Sequence, residues 1–298
     1  MFLAFLVYLL RLTNIIKYDI ITPPDGKAKV KREERWRTEM KKYLNNFMKY
    51  RFLLQELVKK DIKLKYRRSV LGLVWTLLEP LLNMLVLWVV FSKLYAKDDA
   101  LFPVYILTGR LMTQFFSGAT KSAMKSIRTN SGMIKKVYVP KYIYPLSSVL
   151  SNFVTFLLSL IVLVGVAAVL HVKPTIYVFG AIVPIVLLLI MSLGFGLILA
   201  TLAVFFRDLE YLWGVFLTLL FYACAVFYYP SRVIKNGFEW IFKVNPLYCL
   251  IQNFRNTVMY GQGFDMYALV FSAVISFGSL IIGVYVFYKN QDKFILNI

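Results

Sequence analysis

Six long apolar runs dominate this chain, near Val70–Tyr95, Leu101–Met124, Leu146–His171, Tyr177–Phe205, Tyr211–Tyr229 and Met266–Tyr288. At a rise of about 1.5 Å per residue, each is long enough for a hydrocarbon core of about 30 Å. Lipid offers no water to stray peptide groups, so only helices and closed barrels cross it. These runs are too long for barrel strands, and 59% of the residues are hydrophobic, which lies outside the ordinary globular range. The expected fold is an all-α membrane protein with six transmembrane helices.

A net charge of +20 raises nucleic acid as a partner, because basic patches follow phosphate backbones. The placement of the cations argues for a membrane instead. About half of the Lys and Arg residues precede Ser69, and the rest gather mostly in loops between apolar runs. With a cytoplasmic N-terminus, the inside loops 1–69, 125–145, 206–210 and 289–298 take most of them, including Lys125, Arg128, Lys135, Lys136, Lys141, Arg207, Lys289 and Lys293. The excess of positive charge on one side places both termini in the cytoplasm.

Three segments fall outside the spans. Residues 1–50 read as a cytoplasmic or interfacial extension, in which "MFLAFLVYLLRLTNII" suits an interfacial anchor, an extra span or a start codon placed too far upstream. Residues 51–69 interleave Phe52, Leu53, Leu57 and Ile62 with Lys59, Lys60, Lys63 and Lys65, the pattern of an amphipathic helix on an anionic leaflet. Residues 70–298 form the six-span domain. Within it, region 230–263 has apolar pieces too short to cross, interrupted by Pro246. Two short re-entrant helices fit that pattern, and so does an ordered external loop with one interfacial helix.

Catalytic signatures are missing. No G-x-x-x-x-G-K-[ST] phosphate loop occurs, so ATP hydrolysis by this chain alone is not expected. His171 is the sole histidine, and Asp98 and Asp99 sit together in a short loop, leaving no metal site, triad or glycosyl-transfer acid pair. Cys224 and Cys249 lie in or near apolar sequence and read as buried thiols. A membrane glycosyltransferase or acyltransferase is therefore disfavoured, and a passive channel would show no dependence on an ATPase.

The residues that remain are charged or aromatic. Glu79 and Arg110 each fall about 14 Å into a span, where an unpaired ion is expensive; they either pair across neighbouring helices or face a polar path. Phe115, Phe116, Tyr222, Phe227, Tyr228 and Tyr229 suit an interfacial belt or a path for sugar rings. "SGMIKKVYVPKY", starting at Ser131, predicts a short helix stopping before Pro140, which is either a plain basic loop or a helix seated in a soluble partner.

"KDIKLKYRRSVLGLVWTLLEPLLNMLV", "LTGRLMTQFFSGATKSAMKSI", "NSGMIKKVYVPKYIYPLSSVLS", "AVFFRDLEYL" and "FKVNPLYCLIQNFRNTVMYG" occur in that order from about Leu54 onward. Together they resemble the landmarks of type-2 ATP-binding-cassette export permeases, and among these the exporters of O-antigen, teichoic acid and other lipid-linked polysaccharides. The resemblance implies a homodimer in a bacterial plasma membrane, bound to two copies of a cytosolic ATPase that holds the ATP and Mg; no cofactor is expected on this chain. The cargo would be a glycan on undecaprenyl diphosphate. Ser131, Met133, Ile134, Lys135 and Lys136 match the coupling helix. Trp240, Asn245, Pro246 and Tyr248 fall in the gate helices. Arg67, Arg68 and Trp75 stand where the interface helix meets span 1 and, with Arg110, are candidates for the lipid diphosphate. Arg207 and Asp208 match a turn expected to fix a cytosolic loop. Thr113–Gln114 replaces the Pro-Trp of many relatives. An exporter of the same architecture carrying a drug or lipid is the runner-up reading.

Overall fold

The computed structural model describes residues 50–65, 67, 69–93, 99–137 and 139–297. Residues 1–49, Arg68 and Asp98 lie outside the described residues, so the expectations placed on them stay with the sequence. Every regular element among the described residues is helical. Helix α1 covers residues 50–65 and buries Leu57 while leaving Lys59, Lys60, Lys63 and Lys65 outward, as its amphipathic pattern predicts. After a tight turn at Gly72–Val74 come α2 (Trp75–Phe91), α3 (Phe102–Thr129), the single turn α4 (Ser131–Ile134), α5 (Ile143–Val169), α6 (Ile182–Phe205) and α7 (Leu209–Ala223). Short helices α8 (Ser231–Lys235), α9 (Trp240–Lys243) and α10 (Pro246–Val258) lead to α11 (Met266–Asn290) and α12 (Phe294–Asn297).

Among the described residues, four segments are long and apolar enough to cross a membrane: Gly72–Phe91, Ile143–Val169, Ile176–Phe205 and Met266–Lys293. The other two expected spans differ, each for its own reason. Helix α3 has 28 residues, but Arg110, Lys121, Lys125 and Arg128 lower its hydropathy. It is buried along most of its length against α5 and α6, so protein, not lipid, surrounds most of its polar groups. Helix α7 is apolar but only 15 residues long, because the chain leaves the helix at Cys224 instead of continuing to Tyr229.

Two packing devices hold the long helices. Pro80 inside α2 has no N–H to give the carbonyl of Thr76, four residues back. The Ser159 hydroxyl of α5 lies 3.0 Å from that carbonyl and 3.0 Å from the Thr155 carbonyl of its own helix, so its one proton is shared and the gap is partly closed from the neighbouring helix. Helices α6 and α11 meet at Gly194 and Gly283: a Cβ on Gly283 would lie 2.5 Å from the Gly194 carbonyl oxygen, and one on Gly194 would lie 2.5 Å from the Leu280 amide nitrogen. Small residues let helix backbones approach where no hydrophobic force drives them together in lipid.

At the end of the bundle away from α4, a buried arginine fastens three elements. Arg255 of α10 is 0% exposed. Its Nη2 donates to the carbonyls of Tyr105 and Ala225, each at 3.1 Å, its Nε donates to Thr108 Oγ1 at 3.3 Å, and its guanidinium stacks 3.5 Å from the Tyr105 ring centroid. The single hydroxyl proton of Tyr105 is shared between the carbonyls of Ala225 and Tyr228, each 2.9 Å from its oxygen. Ala225 has a φ of 47°, a left-handed conformation uncommon for a residue with a Cβ, and these two donors on its carbonyl hold it there. Asn245 caps α10 by accepting from the amides of Leu247 and Tyr248 and reaches the carbonyl of Ala223 at 3.4 Å. Helices α3, α7 and α10 are thereby tied at one end.

Gly283→Val is expected to push α6 and α11 apart and to cost at least about 1–3 kcal/mol, read as a lowered melting temperature in detergent. Ser159→Ala leaves the Thr76 carbonyl without its cross-helix donor and is expected to cost about 1 kcal/mol in the same assay, whereas Ser159→Thr retains most of it.

Candidate functional site

One stripe of α3 is not covered by its neighbours. Arg110, Gln114, Ser117 and Lys121 recur at helical spacing and face α7 across a cavity of about 360 Å³. Thr113, Phe116 and Gly118 complete the α3 side, Leu217, Thr218, Leu220, Phe221 and Tyr222 form the α7 side, and Leu247 of α10 meets one end. Two basic side chains line the cavity and no carboxylate does. Two buried polar atoms on this stripe, Arg110 Nε and Gln114 Oε1, have no hydrogen-bond partner. A buried donor and acceptor left open in this way are costly unless something visits them.

The expected Glu79–Arg110 pair takes a different form. Gln114, one turn along α3 from Arg110, donates its Nε2 to Glu79 Oε1 at 2.9 Å, and no direct ion pair joins Glu79 to Arg110 among the described residues. Arg110 instead lies over the Phe221 ring, 5.3 Å from its centroid. The carboxylate thus fastens α2 to α3, and the guanidinium faces the cavity wall.

The aromatic residues separate into two groups. Phe115 is 4% exposed and packs against Phe153 and Phe156 of α5, away from the cavity, so it belongs to the helix packing and not to a path. Phe116 lines the cavity edge while packing on Phe195 and Trp213. Tyr222 is exposed and lines the cavity. Phe227 stacks 4.6 Å from Phe91, with Phe221 and Tyr228 close by, and Tyr229 packs on Tyr105 at 4.6 Å and donates its hydroxyl to Asp99. Phe227, Tyr228 and Tyr229 form an aromatic cluster at the Arg255 end and are not among the lining residues of this cavity, whereas Phe221 belongs to both.

Among the residues matched to a coupling helix, Ile134 is buried, Met133 is half-buried against the core, Ser131 is partly exposed, and Lys135 and Lys136 are exposed. Lys141, just beyond, donates to the Gln291 carbonyl at 2.6 Å and ties the loop to the chain after α11. Arg67 is exposed next to α1, and Trp75 starts α2 with 39% of its surface open. In the 230–263 region Trp240 is 61% exposed, Asn245 and Pro246 open α10, and Tyr248 packs on Phe242 at 4.8 Å. Arg207 and Asp208 form the turn before α7. Cys224 and Cys249 are buried, as expected.

Sequence reading passed over Lys121, Glu210 and Arg255, and noted Gln114 only as a departure from the relatives' pattern. Lys121 and Gln114 share a helical face with Arg110, so spacing alone pointed to them. Arg255 carried a signal too, being a lone cation in the otherwise uncharged "PLYCLIQNFRNTVMYG".

Residues 53–259 match the ABC-2 type transporter family. The O-antigen export system permease protein RfbA of Klebsiella pneumoniae is 30% identical over 247 residues, which cover 81% of this chain and 93% of that protein. RfbA of Myxococcus xanthus is 30% identical over 217 residues, covering 72% and 84%. The polysialic acid transport protein KpsM of Escherichia coli is 24% identical over 256 residues, covering 82% and 95%. With that match over more than half of its length, the chain belongs to the ABC-2 type transporter family: it is a membrane permease, and ATP hydrolysis is the work of a separate subunit.

Proposed function

We propose that this chain is the permease of an exporter that carries a polysaccharide on undecaprenyl diphosphate, of teichoic acid or O-antigen type, from the cytoplasmic to the outer side of a bacterial plasma membrane. The observation that carries this reading is the α3 stripe of Arg110, Gln114, Ser117 and Lys121 facing the aromatic and hydroxyl side chains of α7. Cations attract a lipid diphosphate, while hydroxyls, amides and ring faces suit a moving sugar chain without trapping it. The relatives are named for exporting O-antigen and transporting polysialic acid, which supports the same class of cargo.

In this reading α3 and α7 count with the four apolar segments as six spans, and both termini and α4 face the cytosol. The chain works as a homodimer with two ATPase subunits that bind ATP and Mg. Exposed apolar residues on α2, among them Val86, Val89 and Val90, supply the surface for a second copy. Ser131, Met133, Ile134, Lys135 and Lys136 receive the ATPase motion. Arg67, Arg68 and Trp75 guide the lipid diphosphate toward Arg110, and the Trp240–Tyr248 segment acts as the outer gate.

The decisive experiment reconstitutes the chain with its ATPase in proteoliposomes and follows lipid-linked glycan to the far side. Transport that needs ATP and both subunits supports the proposal; movement by the chain alone, or selective transport of drugs or simple lipids, overturns it. Lys121→Glu and Arg110→Gln are each expected to lower export at least about tenfold, equivalent to about 1.4 kcal/mol, without changing helix content by circular dichroism. Lys135→Glu combined with Lys136→Glu is expected to leave the permease folded but to weaken its copurification with the ATPase, or to let ATP be hydrolysed without export.

A further inference from the structure

Glu210 stands in the first turn of α7, and its carboxylate is shared by two cations near the end of α3. Lys125 Nζ lies 3.2 Å from Oε2, and Arg128 pairs with Oε1. The Glu210 side chain is only 20% exposed, so this cluster is less screened than an open surface pair. Three residues after Arg128 the chain enters α4, the short helix read above as the ATPase contact.

The two helices joined by this cluster are held very differently. Helix α3 is packed against α5 and α6 over most of its length. Helix α7 buries only Trp213 and Leu217, with Trp213 Nε1 donating to Thr120 Oγ1 at 3.1 Å, and is otherwise fixed at its far end through Asn245. A push on α4 therefore meets a body of α3 that cannot readily shift and an α7 that can. Seven residues beyond Glu210, about 10 Å along the axis, α7 begins to wall the cavity at Leu217.

We infer that Glu210 is the positioning residue that transmits motion from the Ser131–Lys136 loop to α7, and so sets the width of the cavity between α7 and the basic stripe of α3. This inference rests on the reading of that loop as the ATPase contact. It does not depend on what the cargo is.

The test uses the complete complex with its ATPase, with spin labels on Leu212→Cys of α7 and Val274→Cys of α11, both exposed positions; Cys224 and Cys249 are buried and stay unlabelled. ATP binding is expected to change the 212–274 distance in the parent protein, and Glu210→Gln is expected to abolish that change while melting temperature and ATP hydrolysis persist. Export per ATP should fall within the roughly 5- to 150-fold range typical of coupling between sites. Reversing the charges, with Glu210→Lys, Lys125→Glu and Arg128→Glu together, should restore the distance change. No nucleotide-dependent change in the parent, or an unaltered change in Glu210→Gln, overturns the inference. A loss in Glu210→Gln that only tracks lowered stability and hydrolysis also overturns it, because Glu210 would then be a simple staple. A Glu210-dependent distance change in a complex that moves no glycan instead refutes the proposed cargo and leaves the transmission role standing.

Discussion

The arrangement of this bundle follows from the cost of placing α3 in a membrane. A helix bearing Arg110, Gln114, Lys121, Lys125 and Arg128 cannot face hydrocarbon on all sides, so other helices must surround it. Helices α5 and α6 cover two flanks, and α2 adds a third contact in which Gln114 binds Glu79. The polar residues then collect on the flank left over, opposite α7. Burial of the helix and the presence of a polar cavity are thus one constraint seen from two sides.

A second division separates firmly held parts from loosely held ones. Helices α6 and α11 touch backbone to backbone, and α2 and α5 share a hydrogen bond that replaces one lost to proline. Helix α7 has instead a few point attachments: Glu210 at one end, Trp213 in the middle and Asn245 at the other end. Stability is unevenly distributed in proteins, and moving elements come from its weaker end. By its few attachments the α7 wall of the cavity lies at that weaker end.

Much of this was legible in the sequence. Long apolar runs located α2, α5, α6 and α11, with edges close to the observed ones, because lipid imposes length and hydropathy together. The amphipathic period gave α1, whereas Pro246, read as a break in the apolar run, proved to be the first residue of α10 with Asn245 as its cap. What escaped depended on side-chain direction and on pairs distant in sequence. Phe115 and Phe116 are neighbours, yet one packs on α5 and the other edges the cavity. Glu79 accepts from an amide, Gln114, one turn along α3 from the arginine expected as its partner. The roles of Arg255 and Glu210 exist only through elements brought together from elsewhere in the chain: Tyr105 and Ala225 for one, Lys125 and Arg128 for the other.

The glycine crossing of α6 and α11 has a consequence for how such a protein can open. Two backbones in van der Waals contact cannot close further, and separating them would expose their glycines and serines to acyl chains with nothing gained in return. That pair therefore works as a stator. Under the proposed transport role, widening would then fall to the opposite flank, where α7 is held at few points, and cargo would meet an asymmetric slit with one fixed jaw and one hinged jaw.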